Sequence, residues 1–174
     1  MFTLVTGGLR SGKSGYALTR ASEHGPPPWL YAAPLVEGDD ELKARLANYR
    51  RDQEASWKLL EAPDQLETLV DTLKGGQYGA LVIDRFTAWV ASRVANGDRG
   101  AERALLTDVE QLADRLYRSP TPVVLVTMEI GLGFLPESDP ARRVISAVGQ
   151  SNQILAERAQ SVVLMVSGVP LRLR

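Results

Sequence analysis

Short apolar runs alternate with longer amphipathic stretches along the whole chain. The apolar runs are rich in β-branched residues and lack polar alternation, which is typical of strands covered on both faces of a sheet. They occupy residues 3–5, 29–33, 80–84, 122–128 and 161–168. Between them, apolar residues recur three or four positions apart, as on one face of a helix. These predicted helices cover residues 14–22, 39–53, 64–74, 101–118 and 139–160.

This order of elements predicts the fold class. Alternation of strands and helices over the full length indicates an α/β fold with a mainly parallel sheet flanked by helices. The ending VSGVPLRLR predicts a hairpin that adds one antiparallel strand at the edge of the sheet. Because the chain has no repeat or low-complexity linker, and 174 residues suit one core, we expect a single domain over residues 1–174.

Charge and composition narrow the class of function. The 20 basic and 21 acidic residues nearly cancel and form no basic run, so nucleic acid is not an expected partner. The absence of cysteine excludes disulfides, thiolate metal sites and a cysteine nucleophile. There is no basic leader with a long apolar segment and no apolar run of about 20 residues, so we expect a cytoplasmic protein without a membrane span.

Residues 7–14 read GGLRSGKS, which fits the phosphate-binding pattern G-x-x-x-x-G-K-[S/T] between a predicted strand and a predicted helix. In such a P-loop, glycines let successive N–H groups point at phosphate oxygens, and the helix N-terminus adds positive potential. Lys13 would neutralise the β and γ phosphates, and the Ser14 hydroxyl would ligate Mg²⁺. The alternative is a glycine turn that merely links strand to helix. We assign nucleotide binding to the loop residues Gly7, Gly8, Leu9, Gly12, Lys13 and Ser14.

A P-loop also needs a carboxylate at the end of a neighbouring strand to hold the magnesium shell. Asp84 closes the apolar run ALVID and is the candidate. Asp84 also precedes FTAWVASRVA, where aspartate is a favoured helix N-cap, and the two roles are compatible. The sequence therefore predicts Lys13 and Asp84 as catalytic residues and Ser14 and Asp84 as magnesium ligands.

An acidic and arginine-rich segment starts at Gly38 and reads GDDELKARLANYRRDQEASWKLLEAP. Its arginines, which include Arg50 and Arg51, are compatible with a solvated helix face. They are equally compatible with a helix that leans over the phosphate site, where guanidinium groups pair with phosphate oxygens. The residues themselves leave both interpretations open.

Several motifs together resemble one known family. GG-x-RSGKS is followed by DDE and arginines, by Trp57, and by an acid-tipped strand with T-x-W. VLVTMEIGLGFLPESDPAR is similar to the family's VLVSNEVG-x-G-(I/V)-P...AR, and VSGVPLRL to its V-x-G-(I/L)-P-x-x-L/I. Its G-x-x-NQ is matched by Gly149, Asn152 and Gln153. Over residues 4–173 the chain resembles the bifunctional adenosylcobinamide kinase and adenosylcobinamide-phosphate guanylyltransferase family of cobalamin synthesis.

The resemblance implies two successive reactions on a P-loop NTPase-like fold. The γ-phosphoryl group of GTP or ATP passes to the aminopropanol hydroxyl of adenosylcobinamide, and GMP from GTP is then joined to that phosphate through a guanylyl-histidine. A homotrimer is also implied. The resemblance adds Arg10 and Ser11 to the nucleotide-binding residues of the loop. Outside the loop, it assigns nucleotide binding to Ala32, Ala33, Pro34, Arg50, Arg51, Glu61 and Asp84. For Glu61, a solvated charge at a strand end is an equal alternative.

The sequence departs from the family at the nucleophile. The family's H-R-x-x-R-P segment corresponds to residues 49–54, so Tyr49 stands where the guanylylated histidine is expected. A phenol has a pKa of about 10 and needs activation before it attacks. The single histidine, His24, lies beside the GPPP loop, where a surface or capping role is expected. We predict phosphoryl transfer without a guanylyl-histidine; the alternatives are a different P-loop small-molecule kinase and a non-catalytic nucleotide-binding paralogue.

Overall fold

The computed structural model describes residues 1–34, 56–62, 65–95, 99–133 and 136–174. Within these residues the strands are β1 Phe2–Gly7, β2 Trp29–Ala33, β3 Trp57–Glu61, β4 Leu81–Ile83, β5 Val123–Val126, β6 Ser161–Val166 and β7 Val169–Arg172. The α-helices are α1 Lys13–Ser22, α2 Phe86–Val94, α3 Arg99–Arg118 and α4 Asp139–Arg158. A 3₁₀ helix, Leu66–Leu73, connects β3 to β4.

The strands form one sheet in the order β3-β2-β4-β5-β1-β6-β7. Every neighbouring pair is parallel except β6 and β7, which form an antiparallel hairpin at the edge. The predicted fold class and the predicted edge hairpin are therefore confirmed. Because β1 to β6 all run the same way, the loops that follow them meet at one edge of the sheet, where ligands bind in such folds.

Both faces of the sheet are covered, which explains the unbroken apolar runs. Alternate residues of a strand point to opposite faces, so Leu81 and Ile83 of β4 join one buried cluster and Val82 joins the other. The first cluster packs against α2, α3, α4 and the 3₁₀ helix, and the second against α1. Each fully buried aliphatic side chain contributes about 1.5–3 kcal/mol to stability.

Two elements of the structure differ from the prediction, and one predicted helix lies outside the described residues. The strand β3, with the sequence WKLLE, was not among the predicted apolar runs, because it is an edge strand with exposed polar positions such as Lys58. The stretch 64–74 forms a 3₁₀ helix, in which the buried Leu66 and Leu69 lie one three-residue turn apart. The helix predicted over residues 39–53 lies outside the described residues. Trp57 and Trp89 are both buried in the core.

Candidate functional site

The P-loop joins the carboxyl end of β1 to the first turn of α1, as its motif predicts. Gly7 has φ +149°, and a Cβ there would lie 2.5 Å from the backbone oxygen of Met165 on β6. Gly12 has φ +92° immediately before α1. The turn between β6 and β7 supports the loop from outside, since the Gly168 N–H donates to the Ser11 carbonyl at 3.0 Å. Glycine at position 7 is thus required by the close packing of β6.

Lys13 is the buried cation of this loop. Its side chain is only 8% exposed, and its Nζ donates to the Gly8 carbonyl and lies 3.4 Å from Ser11 Oγ. Burial lowers the pKa of Lys13, while the negative charge of Asp84 acts in the opposite direction. The ammonium group therefore lies inside the loop, where a bound phosphate would replace some of its lost hydration. Ser14 follows in the first turn of α1 and is partly buried.

Asp84 lies at the carboxyl end of β4 and is 3% exposed. Both of its carboxylate oxygens are engaged: Oδ2 accepts from the Tyr31 hydroxyl at 2.5 Å, and Oδ1 accepts from the Arg85 N–H at 2.7 Å. The N-cap of α2 is Arg85, with φ 61°, so Asp84 is not the helix cap that the sequence also allowed. Tyr31, on β2, fixes the carboxylate and was not among the predicted site residues.

The sheet order determines how Lys13 and Asp84 meet. They follow β1 and β4, which are separated by β5. Their charges are close enough for Asp84 to oppose the lowering of the Lys13 pKa. Ser14 and Asp84 supply the hydroxyl and carboxylate oxygens that Mg²⁺ prefers, and magnesium commonly uses only one or two protein ligands alongside phosphate oxygens and water. The predicted donor set therefore fits magnesium chemically.

Other predicted nucleotide residues lie at the same edge of the sheet. Ala32 and Ala33 are buried at the end of β2, and Pro34 follows them. Glu61, exposed at the end of β3, is paired in register with Ala33. In the P-loop, Leu9 and Arg10 are exposed and Ser11 is buried. Tyr49, Arg50 and Arg51 lie outside the described residues.

His24 lies away from this edge. It follows the C-terminal end of α1, and ten helical residues separate that end from the P-loop by about 15 Å. Burial is the largest cause that lowers the pKa of His24, followed by the nearby charge of Arg20. His24 therefore lies near the end of α1 that is opposite the P-loop.

The chain is similar to known proteins over its whole length. The model of the family described as cobinamide kinase / cobinamide phosphate guanyltransferase matches residues 3–173. The chain belongs to this family. Relatives named bifunctional adenosylcobalamin biosynthesis protein include CobU of Salmonella typhimurium, 33% identical over 184 aligned positions that cover 100% of both chains. CobP of Pseudomonas aeruginosa is 34% identical, covering 100% of this chain and 98% of its own. The motif resemblance is therefore confirmed.

Solved structures support the fold of this cobinamide kinase family member. A KaiC-like protein from Pyrococcus horikoshii has a TM-score of 0.53 at 18% identity, covering 94% of this chain and 69% of its own. A second P. horikoshii protein has a TM-score of 0.59 at 10% identity, covering 98% and 84%. At such low identity the likeness shows the fold alone. Among the described residues, no helix is both long and apolar enough to span a membrane.

Proposed function

We propose that this chain is an adenosylcobinamide kinase of cobalamin biosynthesis, which transfers the γ-phosphoryl group of GTP or ATP to the hydroxyl of adenosylcobinamide. The observation that carries the proposal is the buried Lys13 of the P-loop, whose Nζ donates to the Gly8 carbonyl at the same edge of the sheet as the buried Asp84. Full-length similarity to bifunctional adenosylcobalamin biosynthesis proteins supports the corrinoid acceptor.

In this mechanism the chain binds and orients the triphosphate. The N–H groups of the P-loop and the Lys13 ammonium group hold phosphate oxygens, and the lysine charge offsets the negative charge that develops on the bridging oxygen. Ser14 and Asp84 would hold Mg²⁺, which would supply further charge neutralisation. The acceptor hydroxyl oxygen bonds to the γ-phosphorus as the bond to the bridging oxygen breaks. Positioning and electrostatics supply most of the rate enhancement.

The nucleotide contacts extend beyond the P-loop in this proposal. The ends of β2 and β3 bring Ala33 and Glu61 together at the P-loop edge of the sheet, which favours a ligand role for Glu61 over a solvated charge. Arg50 and Arg51 are proposed to pair with phosphate oxygens during transfer. The residues proposed to bind nucleotide are 7–14, 32–34, 50, 51, 61 and 84.

We also propose that the chain works as a cytoplasmic homotrimer. The edge strand β7 exposes Val169 and Leu171, and Leu173 just after it is also exposed. These three alternate positions lie on one side of the extended chain and give an apolar surface for association. Light scattering should give a mass three times the 19.0 kDa of the chain. A monomeric mass at micromolar concentration would contradict the trimer.

Phosphoryl transfer is tested with γ-labelled GTP and ATP, Mg²⁺ and adenosylcobinamide. We expect labelled corrinoid with at least one donor, and none with Lys13→Met. The control Lys74→Met changes an exposed lysine outside the site and should leave transfer intact. Absence of labelled product with either donor would refute the kinase function.

We expect the second reaction of the family, guanylyl transfer, to fail because Tyr49 stands in place of the nucleophilic histidine. Tyrosine lacks the imidazole nitrogen that attacks readily at neutral pH, and its phenol needs activation. Incubation with α-labelled GTP should therefore leave no acid-labile label on the protein, and Tyr49→His should gain such label. A stable label mapped to Tyr49 in the wild-type protein would contradict this expectation.

A further inference from the structure

A closed ring of hydrogen bonds lies at the carboxyl end of β5, the strand between β1 and β4, which Lys13 and Asp84 follow in the chain. The Met128 N–H donates to Thr87 Oγ1 at 2.8 Å, and the Thr127 hydroxyl donates to Asn152 Oδ1 at 2.8 Å. Asn152 Nδ2 donates to the Met128 carbonyl at 3.0 Å. The two threonine hydroxyls are 3.2 Å apart and close the ring. Its members come from α2, the end of β5 and α4.

Chemistry fixes the direction of every bond in this ring. The Met128 carbonyl can only accept, so the amide nitrogen of Asn152 must face it and the amide oxygen must face Thr127. The Thr127 hydroxyl then donates its single proton to Asn152 Oδ1, so the Thr87 hydroxyl must donate to the Thr127 hydroxyl. Each member donates once and accepts once. The ring therefore holds both the N–H and the carbonyl of Met128 with side chains from two helices.

The next residue, Glu129, is tied to the P-loop. Its N–H donates to the Gly7 carbonyl at 3.1 Å, where the P-loop begins. The Glu129 side chain is partly exposed, and within the described part of the chain its carboxylate has neither a hydrogen-bond nor an ion-pair partner. Such a group is suited to accept a proton.

We propose that Glu129 accepts the proton of the acceptor hydroxyl during phosphoryl transfer, and that the ring of Thr87, Thr127 and Asn152 positions it. This inference rests on the proposed kinase function. The hydroxyl oxygen bonds to the γ-phosphorus, and the bond from phosphorus to the bridging oxygen breaks. The nucleoside diphosphate leaves, and the hydroxyl proton passes to the Glu129 carboxylate and then to water.

The test compares four variants of the full chain. Glu129→Gln removes the proton acceptor at a partly exposed position. Thr127→Val removes the ring hydroxyl with little change of shape, and Thr127→Ser retains the hydroxyl. Thr3→Val is the matched control, because Thr3 is 1% exposed, as is Thr127, but its hydroxyl has no hydrogen-bond partner.

The expected kinetic results separate catalysis from structure. Glu129→Gln should lower kcat by about 10²- to 10⁴-fold, with an unchanged KM for the nucleotide. Thr127→Val should lower kcat by about 10- to 100-fold through misplacement of Glu129, again with an unchanged nucleotide KM. Thr127→Ser should restore kcat to near the wild-type value, and Thr3→Val should match the wild type throughout.

Two results would overturn the proposal. A Glu129→Gln variant with wild-type kcat would show that Glu129 has no catalytic role. A folded Thr127→Val variant with wild-type kcat would show that the ring does not position Glu129. Hydrogen exchange at the Met128 amide tests the ring without any activity, since Thr87→Val should speed it by about tenfold. Unchanged exchange would refute the ring. Failure of the wild-type protein to phosphorylate the corrinoid would instead refute the proposed function.

Discussion

The bond between Tyr31 and Asp84 gives a stability prediction that follows directly from the structure. Tyr31 is completely buried, and its hydroxyl donates to a carboxylate oxygen of Asp84, itself 3% exposed. Tyr31→Phe removes this hydroxyl but keeps the ring, which meets Trp57 edge-on with centroids 6.5 Å apart. Loss of a hydrogen bond to a charged group costs about 1.5–3 kcal/mol. For a chain of this size, that lowers Tm by roughly 3–12 °C.

Thermal unfolding followed by circular dichroism measures this effect. The matched control is Tyr117→Phe, because Tyr117 is 53% exposed and its hydroxyl should matter little to stability. Tyr31→Phe should also need more Mg²⁺ for half-maximal activity, since Oδ2 of Asp84 is no longer held by the tyrosine hydroxyl. A Tm for Tyr31→Phe equal to that of Tyr117→Phe would refute the reasoning.

Three further predictions concern the P-loop. Lys13→Met should weaken nucleotide affinity by about 10³-fold, because a charge pair about 4 Å apart at an effective dielectric constant of about 20 is worth about 4 kcal/mol. Calorimetry measures this affinity, with Lys74→Met as the control, and equal nucleotide affinities of the two variants would contradict the prediction. Burial lowers the pKa of Lys13 below 10.5 in the folded chain, so the unfolded chain binds more protons between the folded and the unfolded pKa. The unfolding free energy of the wild type, relative to that of Lys13→Met, should therefore rise as the pH approaches 10.5. Urea titrations in which this difference falls would exclude the prediction. Gly7→Ala should destabilise the fold by about 1–3 kcal/mol or more, because the added methyl group would collide with the backbone of Met165. The control is Gly8→Ala, whose methyl group has open space, so this variant should unfold like the wild type. Equal urea midpoints for the two variants would refute the packing argument.

The elements that sequence patterns predict well are those buried on both sides. The strands β4 and β5 are apolar at every position, and each appears as an uninterrupted run between helices. The strand β3 escapes this pattern because, among the described strands, it has a single neighbour in the sheet, and Lys58 and Glu61 are exposed. Burial on both faces, rather than strand formation itself, is what the apolar runs report.

In the candidate site, contiguous residues are predictable from the sequence, whereas contacts between distant residues are not. The P-loop is predictable because its residues are contiguous and its chemistry depends on local backbone shape. The contact between Tyr31 and Asp84 joins residues 53 positions apart, and it depends on β2 being next to β4. The ring around Met128 likewise depends on α2 and α4 meeting at the end of β5. Strand order, which the sequence pattern does not reveal, determines these contacts.

The most direct test is mass spectrometry of one reaction that contains the protein, adenosylcobinamide, GTP and Mg²⁺. We predict that the corrinoid gains one phosphoryl group and that the intact protein gains no covalent nucleotide. A corrinoid of unchanged mass, with GTP and equally with ATP, would contradict the central claim that Lys13 and Asp84 serve phosphoryl transfer to this acceptor.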